Sequence, residues 1–271
     1  MHLAAVIMTC SLIISTYNRP EALQLCLQSA LHQSVLPDEI LIADDGSGAA
    51  TKEFIEQFRN RSAVPIVHVW QEDNGYQLSK IRNRAFAMAK GAYILQTDGD
   101  LIFHRHFVKD HLQFARKGSF VSGARTNINE QQTREIIAQQ SAPQLVYYSK
   151  GLQKRYNAFR NIALRMINAK LQSSAQNVHY VLGCNMAFFK ADLQKVNGYN
   201  EAFTGWGKED NDIAARLINA GVRLRMLKFG AAVFHLWHKE ADKNKLSANE
   251  HLFQESLKNN VTFVQQGMNR Y

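Results

Sequence analysis

Ala92-Tyr93-Ile94-Leu95-Gln96-Thr97-Asp98-Gly99-Asp100 decides how the rest of the chain is read. A short apolar run of this kind reads as a buried strand. Two carboxylates leave its end at positions i and i+2, with only Gly99 between them. Open α/β sheets bind ligands outside the carboxyl ends of their strands, so the acids stand where a ligand would sit. Carboxylate oxygens suit Mg²⁺ or Mn²⁺, and such ions are usually completed by a substrate's phosphates. Asp-Gly is also an ordinary turn pair, so the weight of the reading comes from its surroundings.

From residue 11 to 135 strand and helix signals alternate. Apolar runs at 11–15, 39–43, 65–70, 92–97 and 119–122 predict strands. Helical spacing covers 19–32, 51–58, 78–90 and 106–116, with Pro20 near the first turn of the first helix and Gly91 closing the third. This alternation predicts an α/β fold, a mostly parallel central sheet with helices on both faces. No Gly-x-Gly-x-x-Gly follows the first strand, so the usual dinucleotide fingerprint is missing. After a polar stretch the pattern returns, with strands at 186–189, 223–227 and 231–234 and helices at 209–220 and 247–264. No internal repeat or clear linker divides the chain. The expected partition is one continuous domain over 1–271, made of halves at about 1–125 and 181–271 and an insertion at about 126–180.

A length of 271 residues with 46% hydrophobic composition supports a sizeable core and excludes wholesale disorder. Cys10, Cys26 and Cys184 form no CxxC pair or disulfide framework, which suits a reducing cytoplasm. The apolar N-terminus has no basic segment and runs directly into Ser15-Thr16-Tyr17, so it reads as a first strand rather than a signal peptide. No apolar run is long enough to span a bilayer.

The formal charge of +9 is unevenly spread. Residues 136–191 hold seven Lys or Arg and no Asp or Glu. Such a patch favours a polyanion: a membrane surface, a phosphorylated acceptor or nucleic acid. Within it, residues 151–171 look helical. Tyr156, Phe159, Ile162, Ala163, Met166 and Ile167 form an apolar stripe, with Arg155, Arg160, Arg165 and Lys170 around it. Two readings stand: a surface helix packed on the sheet, or a basic amphipathic helix on an anionic membrane face.

Four polar clusters fall at strand ends or loops on one expected edge of the sheet. They are Ser15-Thr16-Tyr17-Asn18-Arg19-Pro20, Asp44-Asp45-Gly46-Ser47, Asp98-Gly99-Asp100 and Gly205-Trp206-Gly207-Lys208-Glu209-Asp210. Each alone reads as a turn or a helix cap. Carboxylates can also accept hydrogen bonds from a ring N–H and from sugar hydroxyls, and Tyr17 can stack on a base.

Together these clusters resemble the inverting family 2 glycosyltransferases of the GT-A fold, a Rossmann-like α/β architecture, over about residues 11–240. Asn74-Gly75-Tyr76-Gln77-Leu78 followed by Arg82-Asn83 is similar to bacterial chondroitin-type polymerases. Gly205-Trp206-Gly207-Lys208-Glu209-Asp210 resembles a segment those enzymes share with β-1,4-galactosyltransferases. The resemblance implies a nucleotide-binding first half and an acceptor-binding, catalytic second half. Tyr17 and Asp45 would hold the uracil of a UDP-sugar, with Ser15 beside them. Asp98 would meet the ribose or the ion, and Asp100 would ligate Mn²⁺ (or Mg²⁺). Arg82 would sit near the phosphates or the donor sugar. Gln77, Trp206 and Glu209 would contact sugar, and Asp210 would be the base. His235 would be a further metal ligand, with His238 as the runner-up.

The implied reaction moves a hexose or N-acetylhexosamine to a glycan hydroxyl, in bacterial surface polysaccharide or lipopolysaccharide synthesis. With the basic insertion, it implies a lipid-linked or phosphorylated acceptor. It also implies a cytoplasmic enzyme in peripheral contact with the anionic inner face of the cell membrane, and no nucleic-acid partner. Two alternatives remain at this level: a nucleotidyltransferase activating a sugar phosphate, and a non-catalytic binder of sugar or nucleic acid. The first usually needs a Gly-rich N-terminal loop, and residues 15–20 contain no glycine.

Overall fold

The computed structural model describes residues 8–172, 177–239 and 242–271. Its elements, in chain order, are β1 (Cys10–Thr16), α1 (Pro20–Leu31), β2 (Glu39–Asp44), α2 (Ala49–Arg59), β3 (Ile66–Trp70) and α3 (Leu78–Met88). Then come β4 (Tyr93–Asp98), β5 (Leu101–Phe103), α4 (Phe107–Phe114), β6 (Ser119–Gly123), β7 (Thr126–Ile128), α5 (Glu130–Gln139) and β8 (Leu152–Gln153). The rest are α6 (Ile162–Leu171), β9 (Asn185–Phe189), α7 (Lys190–Val196), α8 (Glu209–Asn219), β10 (Arg223–Leu227), β11 (Val233–His235) and α9 (Leu246–Lys258).

Seven strands form the main sheet in the order β10-β6-β9-β4-β1-β2-β3. All its pairings are parallel except those of β9, which runs antiparallel to both β4 and β6. The mostly parallel sheet expected from the alternation is therefore present. β1 is central and buried throughout, and its pleat sends Leu12 and Ile14 to one face and Ile13 to the other. Ile13 joins Ile81, Phe86, Phe188, Tyr199, Ile213 and Phe253 in a core beneath α3, α7, α8 and α9. Leu12 and Ile14 join Leu23, Leu27, Ile55, Phe107 and Val121 beneath α1, α2 and α4.

Register fixes what meets at the carboxyl edge. Ser15 pairs with Asp98 on one side of β1, and Thr16 pairs with Asp44 on the other. A second, four-stranded sheet, β5-β11-β7-β8, begins where the main sheet ends. The chain passes from β4 to β5 through Gly99 and Asp100, so this junction sits on the acidic pair itself.

Short strands at 101–103, 126–128 and 152–153 and the helix α5 were not evident in the sequence pattern. The insertion differs from its expectation. The helix expected over 151–171 occupies only Ile162–Leu171, after a left-handed Lys154 and a short 3₁₀ turn at Arg155–Ala158. Asn161 starts it by accepting from the Leu164 N–H. Its apolar stripe is not packed on the sheet: Ile162, Met166 and Ile167 are exposed, and Arg165 is the buried residue. The reason is electrostatic. Asp110 is fully buried on α4 and binds both Arg160, at 2.8 Å, and Arg165. A buried carboxylate needs its cations, and satisfying it turns the basic side of the helix inward.

All three cysteines are free and buried, and burial pushes each thiol's pKa up. Among the described residues no helix is long and apolar enough to cross a membrane.

Candidate active site

The polar clusters converge on one cleft of about 620 Å³ at the carboxyl edge of the main sheet. Ser15, Tyr17, Asp45, Asp98, Asp100, Trp206, His235 and His238 all line it. Arg82, Gln77, Glu209 and Asp210 are not among the lining residues.

Asp44 and Asp45 divide structural from surface work. Asp44 is fully buried; it accepts from the Ser47 N–H at 2.8 Å and pairs with His68 at 2.9 Å. Asp45 faces the cleft, with its oxygens held by the Gln77 backbone N–H at 2.9 Å and by the Gln71 amide. Burial pushes its carboxyl up to about 6, against those hydrogen bonds. Gln77 thus contributes its backbone here, where a sugar contact was expected. Gly46 lets this turn close: at φ +99° a Cβ there would lie 2.6 Å from the Asp73 backbone. Tyr17 projects into the opening, 48% exposed, and donates to Asp73 at 2.9 Å.

Asp98 and Asp100 differ in every respect that matters. Asp98 accepts from Arg82 at 3.0 Å. Burial raises its carboxyl to about 6, with Arg82 opposing and Asp100 and Asp210 adding to the rise. Asp100 points to the other sheet. Its Oδ2 meets Arg19 at 3.0 Å and His238 at 3.2 Å, and its Oδ1 lies 3.5 Å from His235. Burial raises Asp100 too, but His238, His235 and Arg19 prevail and hold it at about 2. His235 is driven the other way, to about 4, chiefly by burial, which favours the neutral imidazole. The hydrogen bond to Asp100 raises His238.

Asp100, His235 and His238 offer ligand atoms that lie within 4.8 Å of one another. Asp100 Oδ1 is buried and accepts no hydrogen bond from the described residues. An orphaned carboxylate oxygen beside two imidazoles fits a first-row divalent cation, and the imidazoles favour Mn²⁺ over Mg²⁺. Both His235 and His238 come within reach of this position. Asp98 is outside this group, because Arg82 holds it.

Arg82, expected near the phosphates or the donor sugar, does not line the cleft. It is 1% exposed, on α3 beneath the cleft floor. There it binds Asp98 at 3.0 Å and Asp210 at 2.9 Å, and its guanidinium lies over the Tyr199 ring at 5.3 Å. It thereby ties the carboxyl end of β4 to the start of α8. Asp210 Oδ1 also accepts from the Tyr199 hydroxyl at 2.7 Å, and that hydroxyl lies 2.9 Å from Gln96 Oε1. Asp210 Oδ2 sits against Gly183, where a Cβ would come within 1.9 Å of it. Glu209 is pushed up to about 8 by burial, with Asp210 adding and Arg82 opposing, and its Oε2 is buried without a partner.

A family model described as glycosyl transferase family 2 matches residues 11–196 of this chain. The chain belongs to glycosyl transferase family 2. A second model, the N-terminal domain of galactosyltransferase, matches residues 165–239, which contain the Gly205–Asp210 segment. As a family 2 member the chain is similar to chondroitin synthase of Escherichia coli, 29% identical over 244 residues, 83% of this chain and 34% of that protein. It thus spans about a third of that relative's length. The fold is shared with GalNAc-T7, solved with UDP, GalNAc and Mn²⁺, at a TM-score of 0.65 and 13% identity over 87% of this chain and 45% of that one. It is also shared with a mannosyltransferase from Pyrobaculum calidifontis, solved with GDP-Man and Mn²⁺, at a TM-score of 0.60 and 18% identity over 87% and 59%. Those structures are GT-A glycosyltransferases, and this chain has their mixed α/β architecture with a central sheet flanked by helices. The chain is therefore a member of a glycosyltransferase family, with polysaccharide synthases among its homologues.

Sequence reasoning passed over several site residues of this family 2 enzyme. Arg19 lay inside a quoted cluster, but nothing local linked it to Asp100, 81 positions away. Arg125, Trp237 and Lys243 line the cleft from segments with no motif. Tyr199 lay in Asn197-Gly198-Tyr199-Asn200, which reads as a plain turn.

Proposed function

We propose that this family 2 enzyme is an inverting, divalent-cation-dependent transferase. It moves a hexose or N-acetylhexosamine from a UDP-sugar to a hydroxyl of a glycan acceptor. The setting is bacterial surface polysaccharide or lipopolysaccharide synthesis, with a lipid-linked or phosphorylated acceptor at the cytoplasmic membrane face. The single observation that carries the reading is the convergence of Asp100, His235 and His238 on one edge of the cleft that Asp45 enters from the other.

Asp45 accepts from the uracil ring N–H while Tyr17 stacks on its face. Asp98 accepts from ribose hydroxyls. Asp100, His235 and His238 would hold the cation, which when bound neutralises charge developing on the departing diphosphate. Arg19 and Arg125 add fixed positive charge along the same wall. Trp206, 39% exposed, offers a ring face to sugar, and Glu209, once protonated, can donate to a sugar oxygen.

Asp210 takes the proton of the attacking hydroxyl. Tyr199 and Arg82 occupy its Oδ1, which leaves Oδ2 as the accepting atom. With one base and no protein nucleophile, the sugar is displaced once and its anomeric centre inverts.

The test is a panel of UDP-sugars with Mn²⁺, scored by slow donor hydrolysis and by transfer. Turnover of one donor, lost in Asp100→Ala and Asp210→Asn, is the expected result. Full activity in both variants overturns the reading.

A further inference from the structure

Helix α6 turns its aliphatic side chains to solvent. Ile162 is 50% exposed, Met166 59%, Ile167 52% and Leu171 77%. Its inward cation, Arg165, is already neutralised by Asp110. Contiguous apolar exposure of this kind marks a contact surface.

Beside the helix runs a second groove, at the amino ends of β6 and β10. Arg116, Lys117, Lys170, Arg223 and Arg225 line it, and among the described residues no Asp or Glu does. Arg225 is fixed by its bond to the Phe114 carbonyl and by stacking on that ring at 3.9 Å. Burial lowers its pKa from the ordinary value, and Arg116 and Arg223 add to this. Like charges are thus held together, and among the described residues no carboxylate on the groove wall offsets them.

We propose that this face seats the protein on an anionic lipid bilayer. The aliphatic side chains of α6 enter the interface, and the groove's cations meet headgroup phosphates. Apolar residues on one side and cations beside them are what such an interface binds. A second copy of the chain fits poorly, because two-fold pairing would set cations against cations. A soluble polyanion would leave the aliphatic face unexplained. The proposal gives a physical basis to the membrane-face acceptor proposed above, but its geometry does not depend on the reaction.

The test is flotation of the full chain with vesicles of phosphatidylcholine alone and of phosphatidylcholine with phosphatidylglycerol. Recovery with the anionic vesicles only, weakened by salt, is the expected result. Lys170→Ala with Arg223→Ala lowers the partition coefficient about 25-fold. Met166→Ser with Ile167→Ser lowers it while leaving the salt dependence. All four positions are exposed, and both variants keep wild-type melting and donor hydrolysis. Failure of flotation with hydrolysis intact therefore condemns this surface alone. Equal binding to neutral and anionic vesicles overturns the proposal. So does displacement by millimolar inorganic phosphate, or self-association that Met166→Ser abolishes without vesicle binding.

Discussion

Replacing Arg82 with methionine removes the cation on which the site's carboxylates are organised. The guanidinium is 1% exposed and lies 3.0 Å from Asp98, 2.9 Å from Asp210 and 3.9 Å from Glu209. Methionine fills much of the volume but leaves up to three carboxyl groups crowded without compensation. Breaking a buried pair from one side costs about 3–5 kcal/mol. The side chains of Asp98 and Asp210 are 32% and 20% exposed, so the low end applies. For a chain of this size about 3 kcal/mol lowers Tm by roughly 6–12 °C. The pH dependence follows from the sign of the shifts. Burial already raises Asp98 to about 6 in the fold, and losing Arg82 raises it further. The deficit is therefore full above that raised value and shrinks as pH falls through it and the carboxyl takes a proton. Thermal melts of wild type and variant between pH 5 and pH 8 measure this. Arg82→Met with Asp210→Asn should recover about 1–3 kcal/mol, because the second change removes a charge the first left unpaired. A variant that melts within a degree of wild type but needs far more UDP-sugar would refute the reasoning. That result would put the guanidinium on the donor after all.

Asp210→Asn keeps the shape of the base and removes its proton affinity; kcat should fall about 10²–10⁴-fold with little change in KM for donor. His235→Ala and His238→Ala should each weaken Mn²⁺ binding by more than about tenfold in titration calorimetry, and equal binding in both would remove the histidines from the site. UDP affinity should drop about tenfold from pH 7 to pH 5, since protonating Asp45 below its raised value of about 6 removes the charged acceptor; Asp45→Asn should bind weakly and flatly across that range.

The central strands were legible because burial on both faces leaves an unbroken apolar mark, as in Leu12-Ile13-Ile14 and Tyr93-Ile94-Leu95. Parallel strands share a direction, so polar residues just after each run had to gather at one edge, and Asp45, Asp98 and Asp100 do. Depth was not legible. Arg82 lies on a helix whose period marks an inner face, but nothing in the period says that a cation on that face will meet carboxylates. The same limit applies to the sheet-packed reading of α6: an apolar stripe normally turns inward, and here Asp110, more than 50 positions away, competes for that side and wins it for Arg165. Strands of two or three residues, such as β7 and β8, are too short to show a period at all.

The smaller sheet explains why the paired acids of the β4 end behave as two different groups. β5 continues from β4 after a two-residue step, and β11 lies antiparallel to it with His235 opposite Leu101. The Leu236 N–H donates to the Asp100 carbonyl at 2.9 Å, which fixes the backbone between His235 and His238 against the acidic turn. Asp100 therefore belongs to the second sheet's environment, with imidazoles and Arg19 stabilising its charge. Asp98 stays with the first sheet, against Arg82 and the start of α8. Gly99 makes the step possible, because its backbone runs so close to β1 that a Cβ would lie 3.0 Å from the Ser15 carbonyl oxygen. A single glycine between two acids thus separates a carboxylate held low from a carboxyl raised by burial, and on the proposed reading a cation and a ribose are served side by side from one strand end.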